Sequence, residues 1–303
     1  MAAHWHILGA GSIGCLWAAH LAKAGHRVTL ILRNSERLDT FKKNGAVVLE
    51  SDGKQHLFPV NACLPANCGP ISHLLITTKA YDTLPALKPI AHQLTHDACV
   101  VMMQNGMGAQ QETATRLAPI NVWAASTTDG AWLKEPFHVV FAGKGETKVG
   151  PLLQTVPSLP TIPTELAPSD LTLVADEQIE LSLWRKLAIN CAINPLTAYY
   201  DCRNGELAED PSKFQHMSRV CAEIDRLCQQ LKLQLFDGPA VQQAEAVARA
   251  TGANFSSMLQ DVRHKRKTEL DYITGYLLKQ AKQAGLALPE NQTLYEHLKK
   301  TTK

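Results

Sequence analysis

The fold turns on His4-Trp5-His6-Ile7-Leu8-Gly9-Ala10-Gly11-Ser12-Ile13-Gly14-Cys15-Leu16-Trp17-Ala18-Ala19-His20-Leu21-Ala22-Lys23-Ala24-Gly25. His4 to Leu8 is a short apolar run of strand length. Gly9-Ala10-Gly11-Ser12-Ile13-Gly14 comes directly after it, and the apolar residues beyond recur with helical period as far as Gly25. Arg27 to Leu32 then reads as a second strand, completing a β-α-β unit of the size that binds dinucleotides. A lone G-x-G-x-x-G carries little weight, but between a strand and a helix it carries a mechanism. Gly9 permits the tight turn, Gly11 lets backbone approach a pyrophosphate, and Gly14 lets helix pack on strand; the helix N-terminus faces the phosphate charge. A purely structural strand–helix turn is the competing reading.

The residues at the end of the second strand select the nucleotide. An NAD site expects an acid there to hold the ribose hydroxyls, whereas this strand runs Leu30-Ile31-Leu32-Arg33-Asn34-Ser35. A carboxylate would repel a 2′-phosphate, and a guanidinium binds one through two hydrogen bonds, so NADP(H) is expected over NAD(H). Glu36 is the nearest acid and is expected to begin the next helix. Arg33 as an ordinary surface residue is the alternative.

Farther along, residues 45–60 alternate around a turn signal at Ser51-Asp52-Gly53, which predicts a hairpin. His73 to Thr78 and Ala98 to Met103 read as buried strands, with Lys79 just past the first and Gln104-Asn105-Gly106-Met107-Gly108 ending the second. Ligands of open parallel sheets bind outside the carboxyl ends of the strands, which makes Lys79 and Asn105 candidates for cofactor or substrate contact. Either can instead serve only to shape a turn. Val122 to Ala131 reads as another strand, and His138 to Gly150 as a hairpin around Gly143-Lys144-Gly145. The proline-rich passage Pro151 to Pro168 marks the edge of a first domain, and after about Asp176 the pattern is helical. The expected architecture is α/β: a Rossmann-type doubly wound sheet over residues 1–175, followed by an all-helical domain over 176–303. No internal repeat or low-complexity segment interrupts it.

The opening helix of the second half, predicted over 177–199, contains Leu183-Trp184-Arg185-Lys186-Leu187-Ala188-Ile189-Asn190-Cys191-Ala192-Ile193-Asn194-Pro195. Lys186, Asn190 and Asn194 fall at i, i+4 and i+8 and share one face, drifting by about 40° per step. Apolar residues cover the rest, so the helix is packed, and packed Lys and Asn are costly without partners. One reading is a pocket for an oxygen-rich ligand. The other has Lys186 reaching back to water and the asparagines capping neighbouring backbone. The second half holds two further candidates. Asn254-Phe255-Ser256-Ser257-Met258 reads as a helix start, and Thr268-Glu269-Leu270-Asp271 resembles a capping box. On one straight helix Ser257 and Glu269 would lie about 18 Å apart. A break near Lys265–Lys267 would let both return to one pocket.

Composition narrows the class. The 303 residues suffice for two domains, and 45% apolar content is that of a globular protein. Lysine and arginine number 30 against 28 acids, too small an excess to indicate nucleic acid or a membrane surface. The basic cluster Arg263-His264-Lys265-Arg266-Lys267 reads as a solvated helix surface, with phosphate contact the minority reading. The eight cysteines are scattered, and Cys63 and Cys68 lack zinc-finger spacing, so free thiols in a reducing cytoplasm are expected and no metal. A strand pattern begins within a few residues of Met1, leaving no room for a signal peptide, and no apolar run reaches membrane-spanning length.

Together, the glycine loop with Arg33, Gln104-Asn105-Gly106-Met107-Gly108, the stretch Trp184 to Ala198, Asn204-Gly205-Glu206-Leu207 and Ser256-Ser257-Met258-Leu259-Gln260-Asp261 resemble ketopantoate reductase, over nearly the whole chain. The resemblance implies NADPH-dependent reduction of ketopantoate to (R)-pantoate, on the route to pantothenate and coenzyme A. It implies Lys186 as proton donor, and Asn190, Asn194, Asn204 and Ser257 as substrate ligands. Asn105 would contact cofactor and substrate, while Lys79, Ala131 and Glu269 would line the cofactor or catalytic side. Asp129-Gly130 departs from the other polar residues that the family often carries in that strand-end loop.

The residues suit that chemistry independently. Hydride addition to an α-keto carbon leaves negative charge on oxygen, which needs a donor as the charge develops. Apolar packing lowers a lysine's pKa toward working pH, while Glu269 would oppose the shift and fix the amine's position. Two alternatives stay open: a reductase of the same type acting on another 2-keto acid, and a non-catalytic NADP(H)-binding redox sensor, which has no need of a lysine among asparagines. A small 2-keto acid is the expected partner, neither nucleic acid nor membrane, for a monomer or homodimer. A site between two domains would further imply closure on binding both ligands.

Overall fold

A computed structural model of the chain describes residues 2–152 and 159–301. Its first half is built on twelve strands: β1 (His4–Leu8), β2 (Arg27–Ile31), β3 (Ala46–Ser51), β4 (Lys54–Pro59), β5 (Asn61–Cys63), β6 (Ile71–Ile76), β7 (Leu94–Met102), β8 (Asn121–Thr127), β9 (Gly130–Glu135), β10 (His138–Gly143), β11 (Thr147–Pro151) and β12 (Leu173–Ala175). Four helices lie among them: α1 (Ser12–Lys23), α2 (Ser35–Lys42), α3 (Thr83–Leu87) and α4 (Ala109–Leu117). The larger sheet has the order β12-β11-β8-β7-β6-β1-β2-β5. From β5 to β8 every neighbouring pair is parallel. Numbered along the chain, those six strands stand 3-2-1-4-5-6, the doubly wound arrangement whose order reverses between β1 and β6. Residues Leu74–Ile76 and Val100–Met102 are buried without interruption, as parallel strands covered on both faces require.

A second sheet, β4-β3-β10-β9, lies over α1. Residues Gly14 to Leu21 of α1 are all buried. A helix apolar on every side needs cover on every side. The small sheet supplies Val47, Leu49, Phe137 and Val139 to the same cluster as Cys15, Leu16 and Trp17. The hairpin expected at 45–60 is β3–β4, and its turn residues Asp52 and Gly53 both adopt left-handed φ, as a two-residue type I′ turn demands.

Two expectations fail here. Val122 to Ala131 is not one strand: it breaks at Thr128-Asp129, and β9 crosses to the small sheet. His138 to Gly150 is not a hairpin either, because β10 pairs with β3 and β9 while β11 pairs with β8 and β12. The buried Asp129 carboxylate explains both departures. It accepts hydrogen bonds from the Gly145 N–H (2.8 Å) and the hydroxyls of Thr127 (2.9 Å) and Thr147 (3.3 Å), fastening the two sheet-to-sheet crossings together. Glycine-rich turn signals look alike whether the chain folds back or changes sheet. Part of the proline-rich passage, residues 153–158, lies outside the described residues. Beyond it the chain returns to the first half, where Glu165 and Pro160 carbonyls accept from the indoles of Trp5 (3.1 Å) and Trp123 (3.0 Å).

The remainder is helical: α5 (Ile179–Tyr200), α6 (Glu206–Glu209), α7 (Pro211–Gln230), α8 (Ala240–Ala250), α9 (Ser257–Arg263), α10 (Thr274–Gln283) and α11 (Pro289–Thr301). Internal contacts divide the chain into two compact units. The first holds residues up to Gln104 with Ala109–Ile179, and the second holds Asn105–Gly108 with everything from Glu180. Asp210 caps α7 by accepting from the N–H groups of Ser212 and Lys213 ahead of a well-placed Pro211. Buried Glu223 does the same for α11 across the unit, accepting from the backbone N–H groups of Glu290 (2.9 Å) and Asn291 (3.0 Å) and from the Asn291 carboxamide (2.9 Å). The break expected near Lys265–Lys267 is present: α9 stops at Arg263, Lys265 takes a left-handed φ, and α10 starts only at Thr274. The capping box does not form. Thr268 accepts from the Leu270 N–H in a short turn (3.4 Å), and Asp271 is engaged by Tyr295 and Lys299 instead, because the helix starts too late for it.

Candidate active site

In the first unit the glycine loop comes after β1, at the point where strand order reverses. Gly9 takes a φ of 112°, and a Cβ there would stand 2.7 Å from the Thr78 nitrogen. A Cβ on Gly14 would overlap the Gly9 carbonyl oxygen, which is held by the Thr77 hydroxyl at 2.6 Å. Gly11 differs. A Cβ on it would meet nothing within 4 Å, and as N-cap of α1 it leaves the helix without a side-chain cap. The partial positive charge of the helix end therefore faces open space, bordered by the half-exposed Ala10, Ser12 and Ile13. That cradle fits a pyrophosphate.

Arg33 is exposed just past β2, and Asn34 caps α2 by accepting from the Arg37 N–H (3.0 Å). Sequence reasoning passed over Arg37. Its guanidinium donates to the Ala10 carbonyl (3.3 Å) and lies 4.6 Å over the ring of Phe137, so it ties the glycine loop to the small sheet. The available signal was a second arginine four residues after the first, at the start of a helix. Thr77, which latches Gly9, was missed as well. Lys79 is half-buried beyond β6, its carbonyl accepting from the Asp82 N–H (2.9 Å) and the Thr83 hydroxyl (3.3 Å). Ala131 pairs with Phe141 in the small sheet and packs on the apolar core of this unit.

In the second unit, α5 carries the other candidates. Lys186, Asn190 and Asn194 each stay partly exposed, while Leu187, Ala188 and the run Cys191 to Ile193 are buried. The polar stripe thus lies, with Arg185 and Ile189, among the partly exposed positions of a packed helix. Desolvation by the surrounding protein pulls the Lys186 amine from 10.5 down to about 8, and the charge of buried Glu269 opposes the shift. Glu269 leads into the turn Leu270–Tyr272, and its carbonyl accepts from the Tyr272 N–H (3.0 Å). The Tyr272 carbonyl accepts in turn from the Met107 N–H (2.8 Å), next to Gly106, whose left-handed φ and lack of a Cβ allow that approach. Half-buried Asn105 is thereby anchored beside the Glu269 turn.

Farther along α5, the Thr197 hydroxyl lies 3.0 Å from the Asn194 carbonyl and 2.7 Å from Ser256 Oγ. Ser256 is the N-cap of α9, accepting from the Leu259 N–H (3.1 Å), and it leaves Ser257 exposed in the first turn. The Asn204 N–H donates to the Asn254 carbonyl (3.0 Å), and its carboxamide donates to the Thr251 hydroxyl (2.9 Å). The Asn204 Oδ1 is buried with no protein donor. A buried acceptor without a donor is costly, and a ligand hydroxyl would satisfy it. One hydrogen-bonded chain thus ties the Asn194 carbonyl to Ser256, the residue before Ser257, while Asn204 reaches the adjoining 251–254 loop. Among the described residues no cluster of three or more His, Cys, Asp or Glu could hold a metal ion, and no helix is long and apolar enough to cross a membrane.

Comparison with known proteins covers both units. Residues 5–154 match the family model of ketopantoate reductase PanE/ApbA, and residues 178–302 match that of its C-terminal part. The chain is 34% identical to the 2-dehydropantoate 2-reductase of Vibrio cholerae, over 97% of this chain and 96% of that protein. It is 32% identical to the 2-dehydropantoate 2-reductase of Escherichia coli O157:H7, over 97% and 93%. Among solved structures, the PanE/ApbA family ketopantoate reductase from Ralstonia eutropha JMP134 aligns with a TM-score of 0.89 at 25% identity, over 99% of this chain and 98% of that one.

Proposed function

The chain belongs to the ketopantoate reductase family, and from that premise we propose that it reduces 2-dehydropantoate to (R)-pantoate with NADPH, Lys186 giving the proton. The observation that carries this reading is the open stripe of α5, headed by an amine whose pKa is drawn to about 8. NADPH, when bound, supplies the hydride that reduces the keto carbon. Gly9, Ala10, Gly11, Ser12, Ile13 and Gly14 would hold its pyrophosphate, and Arg33 its 2′-phosphate. Lys79, Asn105 and Ala131 would border it, with Glu269 at its catalytic end.

Lys186 stabilises the negative charge growing on the substrate oxygen and delivers its proton there, a task for which a pKa near working pH is best. Glu269 keeps the amine charged and in place. Asn190, Asn194, Asn204 and Ser257 bind the substrate's carboxylate and hydroxyl, with the Asn204 Oδ1 accepting from the hydroxyl. These are neutral groups, so substrate affinity is modest beside that of an arginine site. Eight free thiols suit a cytoplasmic setting, on the route to pantothenate and coenzyme A.

The test is NADPH oxidation with ketopantoate against a panel of other 2-keto acids. The proposal expects ketopantoate to give the highest kcat/KM; a different acid ahead of it would reassign the substrate.

A further inference from the structure

Six of the eight cysteines are buried, and burial pushes every one of those thiols upward. Cys63 and Cys68 differ from them in three respects. Both are partly accessible, they flank a single short turn, and their sulfurs lie 2.9 Å apart. The turn is firmly made: the Asn67 N–H donates to the Leu64 carbonyl (2.9 Å), and the Cys68 thiol also reaches that carbonyl (3.3 Å). The two sulfurs stand within about 1 Å of the covalent S–S separation of about 2.05 Å. Little chain entropy remains to be lost in joining them.

Their position gives the pair a consequence. Cys63 ends β5, the edge strand of the larger sheet, which among the described residues pairs only with β2. The Cys63 carbonyl accepts from the Leu32 N–H (2.9 Å), one residue before Arg33. A covalent change at Cys63 is therefore one hydrogen bond away from the end of β2.

We propose that Cys63 and Cys68 are an oxidation site, closing reversibly to a disulfide that weakens NADPH binding at the end of β2. The disulfide does not depend on the proposed activity; its effect on the cofactor rests on that reading. The oxidant is hydrogen peroxide. The Cys63 sulfur attacks one peroxide oxygen, an S–O bond forms as the O–O bond breaks, and water leaves. The Cys68 sulfur then attacks the sulfenic sulfur, the S–S bond forms as S–O breaks, and a second water leaves. Two thiols lose one electron each, and both peroxide oxygens end as water. The neighbouring thiol favours Cys63 as the sulfur that attacks first. The Cys68 thiol stabilises a thiolate on Cys63, pulling that pKa down while its own is pushed up.

The experiment treats the full-length protein with hydrogen peroxide, alkylates it, and maps it by mass spectrometry. The expected result is a loss of two hydrogens, located to a Cys63–Cys68 cross-link and reversed by dithiothreitol, with the other six cysteines still alkylated after denaturation. In Cys68→Ser, dimedone should capture a sulfenic acid on Cys63. NADPH titration of the oxidised protein should give a Kd at least about threefold above that of the reduced protein, with no change on peroxide treatment of Cys63→Ser. Two thiols that stay alkylatable, or that oxidise singly without cross-linking, overturn the proposal. A mapped cross-link with unchanged NADPH affinity overturns the coupling to the cofactor. Reduced protein that binds no NADPH at all would count against the proposed activity and leave the mass result standing.

Discussion

Lys186 combines partial accessibility with an amine that burial has drawn down to about 8. As a proton donor it must be protonated, so kcat/KM for reduction should hold below that pH and fall about tenfold per unit above it. The same shift has an opposite signature in stability. Between about 8 and the ordinary value of 10.5 the unfolded chain binds more protons, so this group adds stability as pH rises through that window. A pH–rate profile flat through pH 9 would contradict the donor role. At Arg33, truncation to alanine should cost NADPH about 10- to 100-fold in kcat/KM and leave NADH nearly unchanged, since only the 2′-phosphate contact is lost. Arg37→Ala should weaken both nucleotides, because its guanidinium holds the loop carbonyl of Ala10. Steady-state kinetics with each cofactor separates the two arginines. Arg33 could be read from sequence because it stands where an acid is expected. Arg37 could not, because its role depends on Phe137, a hundred residues away.

The elements divide by whether their signals are local. The β1–loop–α1–β2 unit was legible because strand, glycine turn and helix are each written within a few residues. So was the polar stripe of α5, where helical period alone lines up Lys186, Asn190 and Asn194. The small sheet over α1 was legible only as the β3–β4 hairpin; its pairing of β3 with β10 joins residues some ninety positions apart. Asp129 looked like a departure from the family's site residues, and in the structure it fastens two sheet crossings. Ser256 and Ser257 are alike in sequence, and only packing makes the first a cap and the second an exposed hydroxyl. Two elements invite direct tests. Gly11→Ala should keep stability within about 0.5 kcal/mol, since its Cβ meets open space, yet raise the NADPH Kd about tenfold or more. Thermal melts and fluorescence titration measure the two effects. Glu223→Ala should cost about 3 kcal/mol, seen in urea unfolding, by stripping three N–H donors of a buried acceptor at the head of α11.

At the scale of the whole molecule, the two units bring different chemistry: a doubly wound sheet with a glycine cradle and two arginines, and a helical array with an amine, carboxamides and a hydroxyl. In the proposed reaction the first unit would hold the hydride source and the second the proton source. Nucleotide binding and turnover should therefore be separable by mutation. The most direct measurement is NADPH oxidation with ketopantoate by the wild type and Lys186→Ala, alongside NADPH titration of both. The account predicts that the variant loses about 10²- to 10⁴-fold in kcat while its NADPH Kd stays within about threefold of wild type. Turnover that survives the loss of the amine would contradict it.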